Sequence, residues 1–128
     1  DGPALETLLL VHLRALNDSL DLGYTLHYWR TGTGLEVDFV LYGKRGLLAF
    51  EVKRSARVRD EDLASLLAFR EDYPMARTFF LHFGTQRRHD RGIEILPIDQ
   101  ALRGLDELLG ARPGVEGKQS AGRKQRRS

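Results

Sequence analysis

The sequence of 128 residues contains no cysteine, so it can form neither a disulfide framework nor a thiolate metal site. No apolar run approaches the roughly 20 residues that a membrane helix needs, and no basic segment followed by an apolar one resembles a secretion signal. These absences favour a cytoplasmic protein without a membrane partner. With 41% hydrophobic and 30% charged residues, the chain is typical of one soluble globular domain.

A strong charge of one sign is also missing from most of the chain. The net charge of +2 arises from residues 110–128, which contain six Lys and Arg and one Glu, whereas residues 1–109 contain 14 basic and 17 acidic residues. We predict a folded domain at 1–109 and a basic, disordered tail at 110–128. The acidic balance of the domain gives no independent support for nucleic-acid binding. The chain starts with Asp1 rather than Met, so we expect an N-terminal portion to precede it.

Hydrophobic periodicity and turn residues predict three helices and five strands. The helices are expected at 3–16, 60–72 and 99–109, and the strands at 24–31, 35–42, 46–54, 78–83 and 92–97, with a polar loop at 86–91. The order α-β-β-β-α-β-β-α predicts an α/β fold, in which a mixed sheet is flanked by helices on both faces.

Two adjacent strands place acidic side chains close together. Glycines at both ends of the connector between them, Gly43 and Gly46, predict a short hairpin. Whether Tyr42 pairs with Leu47 or a tighter turn pairs Gly43 with Gly46, Asp38 lies opposite Glu51, unless a bulge intervenes. Because side chains alternate along a strand, the opposite faces of these two strands are predicted to be apolar, and burial of those faces would fix this register. The residues on these faces are Val37, Phe39, Leu41, Leu48, Phe50 and Val52.

Carboxylates directly opposite each other on paired strands have Cβ atoms about 4.5–5.5 Å apart and repel. A hard divalent cation such as Mg²⁺ would compensate, because it prefers carboxylate oxygens. Lys53 follows Glu51 on the same face and would stabilise a developing negative charge. The sequence therefore predicts a metal site suited to phosphodiester hydrolysis. Composition alone is equally compatible with a solvated Glu–Lys pair on an exposed sheet face.

The spacing of these residues resembles a known signature. Asp38, twelve intervening residues and then Glu51-Val52-Lys53 resemble the D-(x)n-E-x-K pattern of the PD-(D/E)XK nuclease superfamily, with Val37 where a proline is usual. The resemblance implies a restriction-endonuclease-like sheet, Mg²⁺ or Mn²⁺ as cofactor, and DNA as partner. It implies Asp38, Glu51 and Glu6 as metal ligands, with Lys53 as a further catalytic residue.

Two of these assignments have alternatives. Glu6 lies on the same helical stripe as the core leucines, so it either faces the site or lies exposed at its rim. Glu36 is a weaker alternative ligand that would instead pair with Lys53.

A second resemblance covers about residues 3–100. The segments Tyr28-Trp29-Arg30-Thr31, Gly34-Leu35-Glu36-Val37-Asp38-Phe39-Val40 and Phe50-Glu51-Val52-Lys53-Arg54-Ser55 look like the C-terminal domain of prokaryotic predicted AAA+ ATPases, catalogued as domain-of-unknown-function family 4143. It implies an ATPase module in the same longer chain.

Three functions follow as hypotheses. The leading one is a Mg²⁺-dependent endonuclease domain that hydrolyses DNA phosphodiester bonds. The second is a non-catalytic module that binds DNA or a protein partner for a coupled ATPase, and the third is a self-association domain that forms a homo-oligomer.

Other residues have competing interpretations. The arginines after the motif, Arg54, Arg57 and Arg59, are equally compatible with phosphate contacts and with a solvated loop. We expect His82 to be structural, and Trp29 with Tyr28 to belong to the core rather than to a base-stacking surface. The acids Asp60, Glu61 and Asp62 are expected to favour the start of the second helix through its dipole.

Overall fold

A computed structural model of the chain describes residues 2–110, with side chains from residue 4 onward. The predicted tail lies outside the described residues except for Gly110. The helices are α1 (Gly2–Ser19), α2 (Ala64–Asp72), α3 (Ile98–Arg103) and α4 (Leu105–Leu108), with one 3-10 turn at Asp60–Leu63 before α2. The strands are β1 (Thr25–Arg30), β2 (Glu36–Gly43), β3 (Gly46–Val52), β4 (Arg77–His82), β5 (Arg88–Asp90) and β6 (Ile93–Pro97).

The six strands form one mixed sheet in the order β1-β2-β3-β4-β6-β5. The β1–β2, β2–β3 and β5–β6 pairs are antiparallel, whereas β4 runs parallel to both β3 and β6. The crossover from β3 to β4 passes through α2, as expected for a parallel connection. The carboxyl ends of β3 and β4 therefore lie side by side at one edge of the molecule.

Helices cover both faces of the sheet, as the sequence predicted. On one face, α1, α3 and α4 pack over a core that includes Leu9, Leu48 and Phe50. On the other face, α2 and the 3-10 turn pack over a second core that includes Leu66 and Phe69. The sheet is thus buried on both sides, which explains the nearly continuous apolar run of β4.

Three local features differ from the predicted elements. The predicted polar loop at 86–91 contains the short strand β5, which pairs with β6. This pairing is made by backbone hydrogen bonds, so the pattern of side chains does not indicate it. The predicted helix at 99–109 is broken at Gly104 into α3 and α4. The first helix extends to Ser19, because the Asn17 side chain bonds both backbone groups of Tyr24 and closes the turn beyond it.

The β2–β3 register agrees with the sequence argument, because Tyr42 pairs with Leu47 and Gly43 with Gly46. A bulge lies on the other side of β2. Between the pairs His27–Val40 and Trp29–Val37, β2 contributes two residues and β1 only one. Val37 consequently packs on the α2 side with Val40, whereas Phe39 packs on the α1 side, so the prediction that Val37 and Phe39 share a face is wrong.

Among residues 2–110, no helix combines the length and the apolar character that crossing a bilayer requires.

Candidate metal and active site

Asp38 lies where the β2–β3 ladder ends. The last regular pair is Phe39–Phe50, and Asp38 and Glu51 are the next residues beyond that pair on β2 and β3. The Asp38 carboxylate accepts a hydrogen bond from the Val52 N–H at 2.9 Å, so a side chain replaces a backbone partner between the two strands. Burial raises the pKa of Asp38 to about 6, with the Val52 hydrogen bond opposing the rise and the charges of Glu6 and Glu36 adding to it.

Glu51 is the most perturbed acid of the site. Burial raises its pKa to about 8, and the negative charges of four other acids add to the rise; they are Asp38, Asp62, Glu36 and Glu6. Its Oε1 atom is buried and has no hydrogen-bond partner among the described residues. An unpaired buried oxygen is costly, so this atom is a candidate donor to a ligand.

Lys53 does not pair with Glu36. Its Nζ donates to both carboxylate oxygens of Asp62 at 2.7 Å, whereas Glu36 pairs with Arg30 at 2.9 Å. The prediction that Glu36 would pair with Lys53 is therefore wrong. The cause is the path of the chain after β3, which brings the 3-10 turn back to the end of the strand.

Asp62 is a site residue that the sequence argument missed. It holds Lys53 and also accepts a hydrogen bond from the Arg59 N–H at 2.8 Å. Burial alone would raise the pKa of Asp62, but the hydrogen bonds from Lys53 and Arg59 outweigh it and hold the pKa below its usual value. In the sequence, Asp62 lies in the acidic first turn of the predicted second helix, which suggested only an interaction with the helix dipole. No sequence signal linked Asp62 to Lys53.

Glu6, Glu36 and Asp38 line one open cavity of about 500 Å³ between α1 and the β1–β2 edge. Glu6 is exposed at its rim, and its charge raises the pKa of both Asp38 and Glu51. Glu51 is not among the residues that line this cavity. The structure thus brings Glu6 near the two central carboxyls, and its role as a ligand stays a prediction.

The donor set fits a small hard cation through two carboxylates. The described residues hold no group of three or more His, Asp or Glu side chains close enough to share a metal ion. Mg²⁺ retains several waters and is usually held by only one or two carboxylates. Asp38 and Glu51, one of them with a buried oxygen that accepts no hydrogen bond from residues 2–110, therefore match Mg²⁺ or Mn²⁺ better than an ion that needs a complete protein cage.

Other candidates from the sequence divide between core and surface. His82 is buried and structural, because its Nδ1 accepts from the Gly84 N–H and its Nε2 donates to the Gln86 carbonyl. Trp29 packs edge-on against Phe69 with ring centroids 5.3 Å apart. Tyr28 is 68% exposed, so its assignment to the core is wrong; it lies on β1, which is an edge strand of the sheet.

Comparison with known proteins gives one match. The family model described as Domain of unknown function (DUF4143) matches residues 1–101. No curated protein and no solved structure matches.

Proposed function

This chain belongs to the DUF4143 family, whose function is unknown, and we propose that it is a Mg²⁺-dependent nuclease-like domain acting on DNA phosphodiester bonds. The observation that supports this proposal is the pair formed by Asp38 and Glu51. Both have raised pKa values, and one has a buried oxygen without a partner. Perturbed acids that adjoin a cleft are typical of functional sites.

The proposed chemistry assigns a role to each residue. Asp38 and Glu51 would supply oxygens to the cation, which lowers the pKa of a bound water and polarises the phosphate. Glu51 holds a proton at neutral pH, and this proton must leave before the carboxylate can act as a donor. Lys53 would donate to a phosphate oxygen as negative charge develops there. Asp62 keeps the Lys53 ammonium at the end of β3 until substrate arrives.

The test is DNA cleavage with Mg²⁺ or Mn²⁺ by three single variants, Glu51→Gln, Asp38→Asn and Lys53→Ala. We expect each to lower the initial rate by about 10²-fold or more, because each removes a group that acts on transition-state charge. Asp99→Asn is the matched control, since its carboxylate is exposed and pairs with Arg103 within α3. Cleavage that continues at the wild-type rate in Glu51→Gln and Lys53→Ala would refute the mechanism.

One observation favours a second function, a non-catalytic module that binds DNA or a partner protein. Lys53 donates to both carboxylate oxygens of Asp62, and this ion pair forms without substrate. Calorimetry distinguishes the two functions. Absence of heat with Mg²⁺ and Mn²⁺, both with and without DNA, would favour the non-catalytic module.

A further inference from the structure

Two loops leave the carboxyl ends of β3 and β4 side by side. The Lys53 N–H donates to the Leu81 carbonyl and the Phe83 N–H to the Ser55 carbonyl, both at 2.9 Å. Gly84 approaches the Ala56 carbonyl so closely that a Cβ there would lie 2.5 Å from its oxygen. These contacts hold the loop at 53–59 in a fixed position immediately after Glu51.

The loop at 53–59 contains four basic residues and no acid. From β5, which follows the other loop, Arg88 reaches across and donates to the Val58 carbonyl at 3.3 Å. Arg54 lies over the ring of Phe83, 5.6 Å from its centre. We call the four arginines that meet here the arginine surface: Arg54, Arg57, Arg59 and Arg88.

Most acids near this surface are already in ion pairs. Asp62 pairs with Lys53, and Arg91 pairs with both Asp60 and Asp90. Arg88 of the arginine surface also pairs with Asp90, at 3.7 Å, and Glu61 remains exposed. Residues 53–62 and 87–91 together contain seven Lys and Arg against four acids, whereas residues 1–109 as a whole have three more acids than basic residues. Within residues 2–110, neither Arg57 nor Arg59 has an ion-pair partner. Positive charge is therefore concentrated at this one edge.

We propose that the arginine surface binds the phosphodiester backbone of a nucleic acid. Arginine forks match phosphate oxygens in pairs, and phosphate contacts give affinity without an apolar core. An acidic protein partner is a poorer match, because protein interfaces have an apolar centre and the ring of Phe83 is the one large exposed apolar group here. This proposal deepens the proposed nuclease function. It rests on that function in one respect, which is that the bound nucleic-acid strand passes Glu51.

The test measures binding of the full chain to a short fluorescein-labelled DNA duplex by anisotropy, in EDTA so that no cleavage occurs. We expect the double variant Arg57→Ala/Arg59→Ala to raise Kd about tenfold and to lower the slope of log K against log salt by about 2. The matched control is Arg14→Ala/Arg103→Ala, which removes two exposed arginines from α1 and α3. Circular dichroism checks that both variants are folded.

The outcomes separate the two proposals. An equal loss of binding in both double variants, or no loss in either, overturns the arginine surface. Polyglutamate that displaces the duplex as well as unlabelled DNA does at equal charge also overturns it, in favour of an acidic protein. Binding that depends on Arg57 and Arg59, in a protein that does not cleave DNA with Mg²⁺ or Mn²⁺, supports the surface and refutes only the nuclease.

Discussion

At the scale of single residues, Glu51 is a carboxyl group whose surroundings favour its protonated form. Its backbone belongs to a buried central strand, so burial penalises its charged form, and four acids around it add to the penalty. The native carboxyl therefore holds a proton at neutral pH, whereas in the unfolded chain it is ionised. By linkage, this group stabilises the fold at low pH and loses its contribution as the pH rises from about 4.5 to about 8.

Replacing Glu51 with Gln should remove this pH dependence. In EDTA, we expect the variant to come close to the wild type near pH 5 and to exceed its unfolding free energy near pH 8 by about 3–4 kcal/mol, because each unit of pKa shift corresponds to about 1.4 kcal/mol. The rise in the pKa of Asp38 to about 6 adds a smaller loss between about pH 4 and pH 6 in both proteins. Urea unfolding across this pH range measures the difference, with the exposed Glu71→Gln as control. A wild-type pH profile in Glu51→Gln would contradict the assignment.

The sequence predicted part of this site for a clear physical reason. Strand alternation and a short turn fix which residues face each other, so the register that leads to Asp38 and Glu51 followed from two glycines and is confirmed by the Gly43–Gly46 pair. The contact between Lys53 and Asp62 could not be predicted, because it depends on how the loop returns after β3. Side-chain periodicity contains no information about that path.

At the scale of elements, the site depends on the close approach of two loops. The loop after β3 and the loop after β4 are joined by backbone hydrogen bonds, and Gly84 permits the contact with Ala56 because it has no side chain. Alternation also failed at this scale where β2 bulges against β1, since one inserted residue reverses the faces of its neighbours. The bulge has no signal in the apolar pattern, and it lies next to Asp38.

Substituting Gly84 with Ala should separate the two loops. The new Cβ would lie 2.5 Å from the Ala56 carbonyl oxygen and 3.1 Å from His82 Nδ1, so the backbone must shift. We expect a loss of about 1–3 kcal/mol in unfolding free energy, measured by urea unfolding. Gly32→Ala is the control, because nothing lies within 4 Å of a Cβ at that position. Equal effects of the two substitutions would show that the close approach does not matter.

At the scale of the whole molecule, charge is separated by region. The cavity between α1 and the β1–β2 edge is lined by three acids, whereas the edge formed by the carboxyl ends of β3 and β4 is rich in arginine. Asp38 lines the cavity, Glu51 lies near the carboxyl end of β3, and the proposed cation site is at these two acids. A cation held there would reduce the repulsion among the acids, and its binding would be coupled to the stability of the entire domain.

Mg²⁺ should therefore stabilise the domain in a pH-dependent way. Near pH 8, where Asp38 is ionised and Glu51 loses its proton readily, we expect the unfolding free energy to rise by about 2.7 kcal/mol when Mg²⁺ exceeds its Kd a hundredfold. Near pH 5 both carboxyls hold protons for much of the time, so Mg²⁺ must displace those protons and its effect should be small. Urea unfolding with MgCl₂, compared with NaCl at equal ionic strength, measures both effects. An identical Mg²⁺ effect at the two pH values, or a full effect in Asp38→Asn/Glu51→Gln, would place the cation elsewhere on the protein.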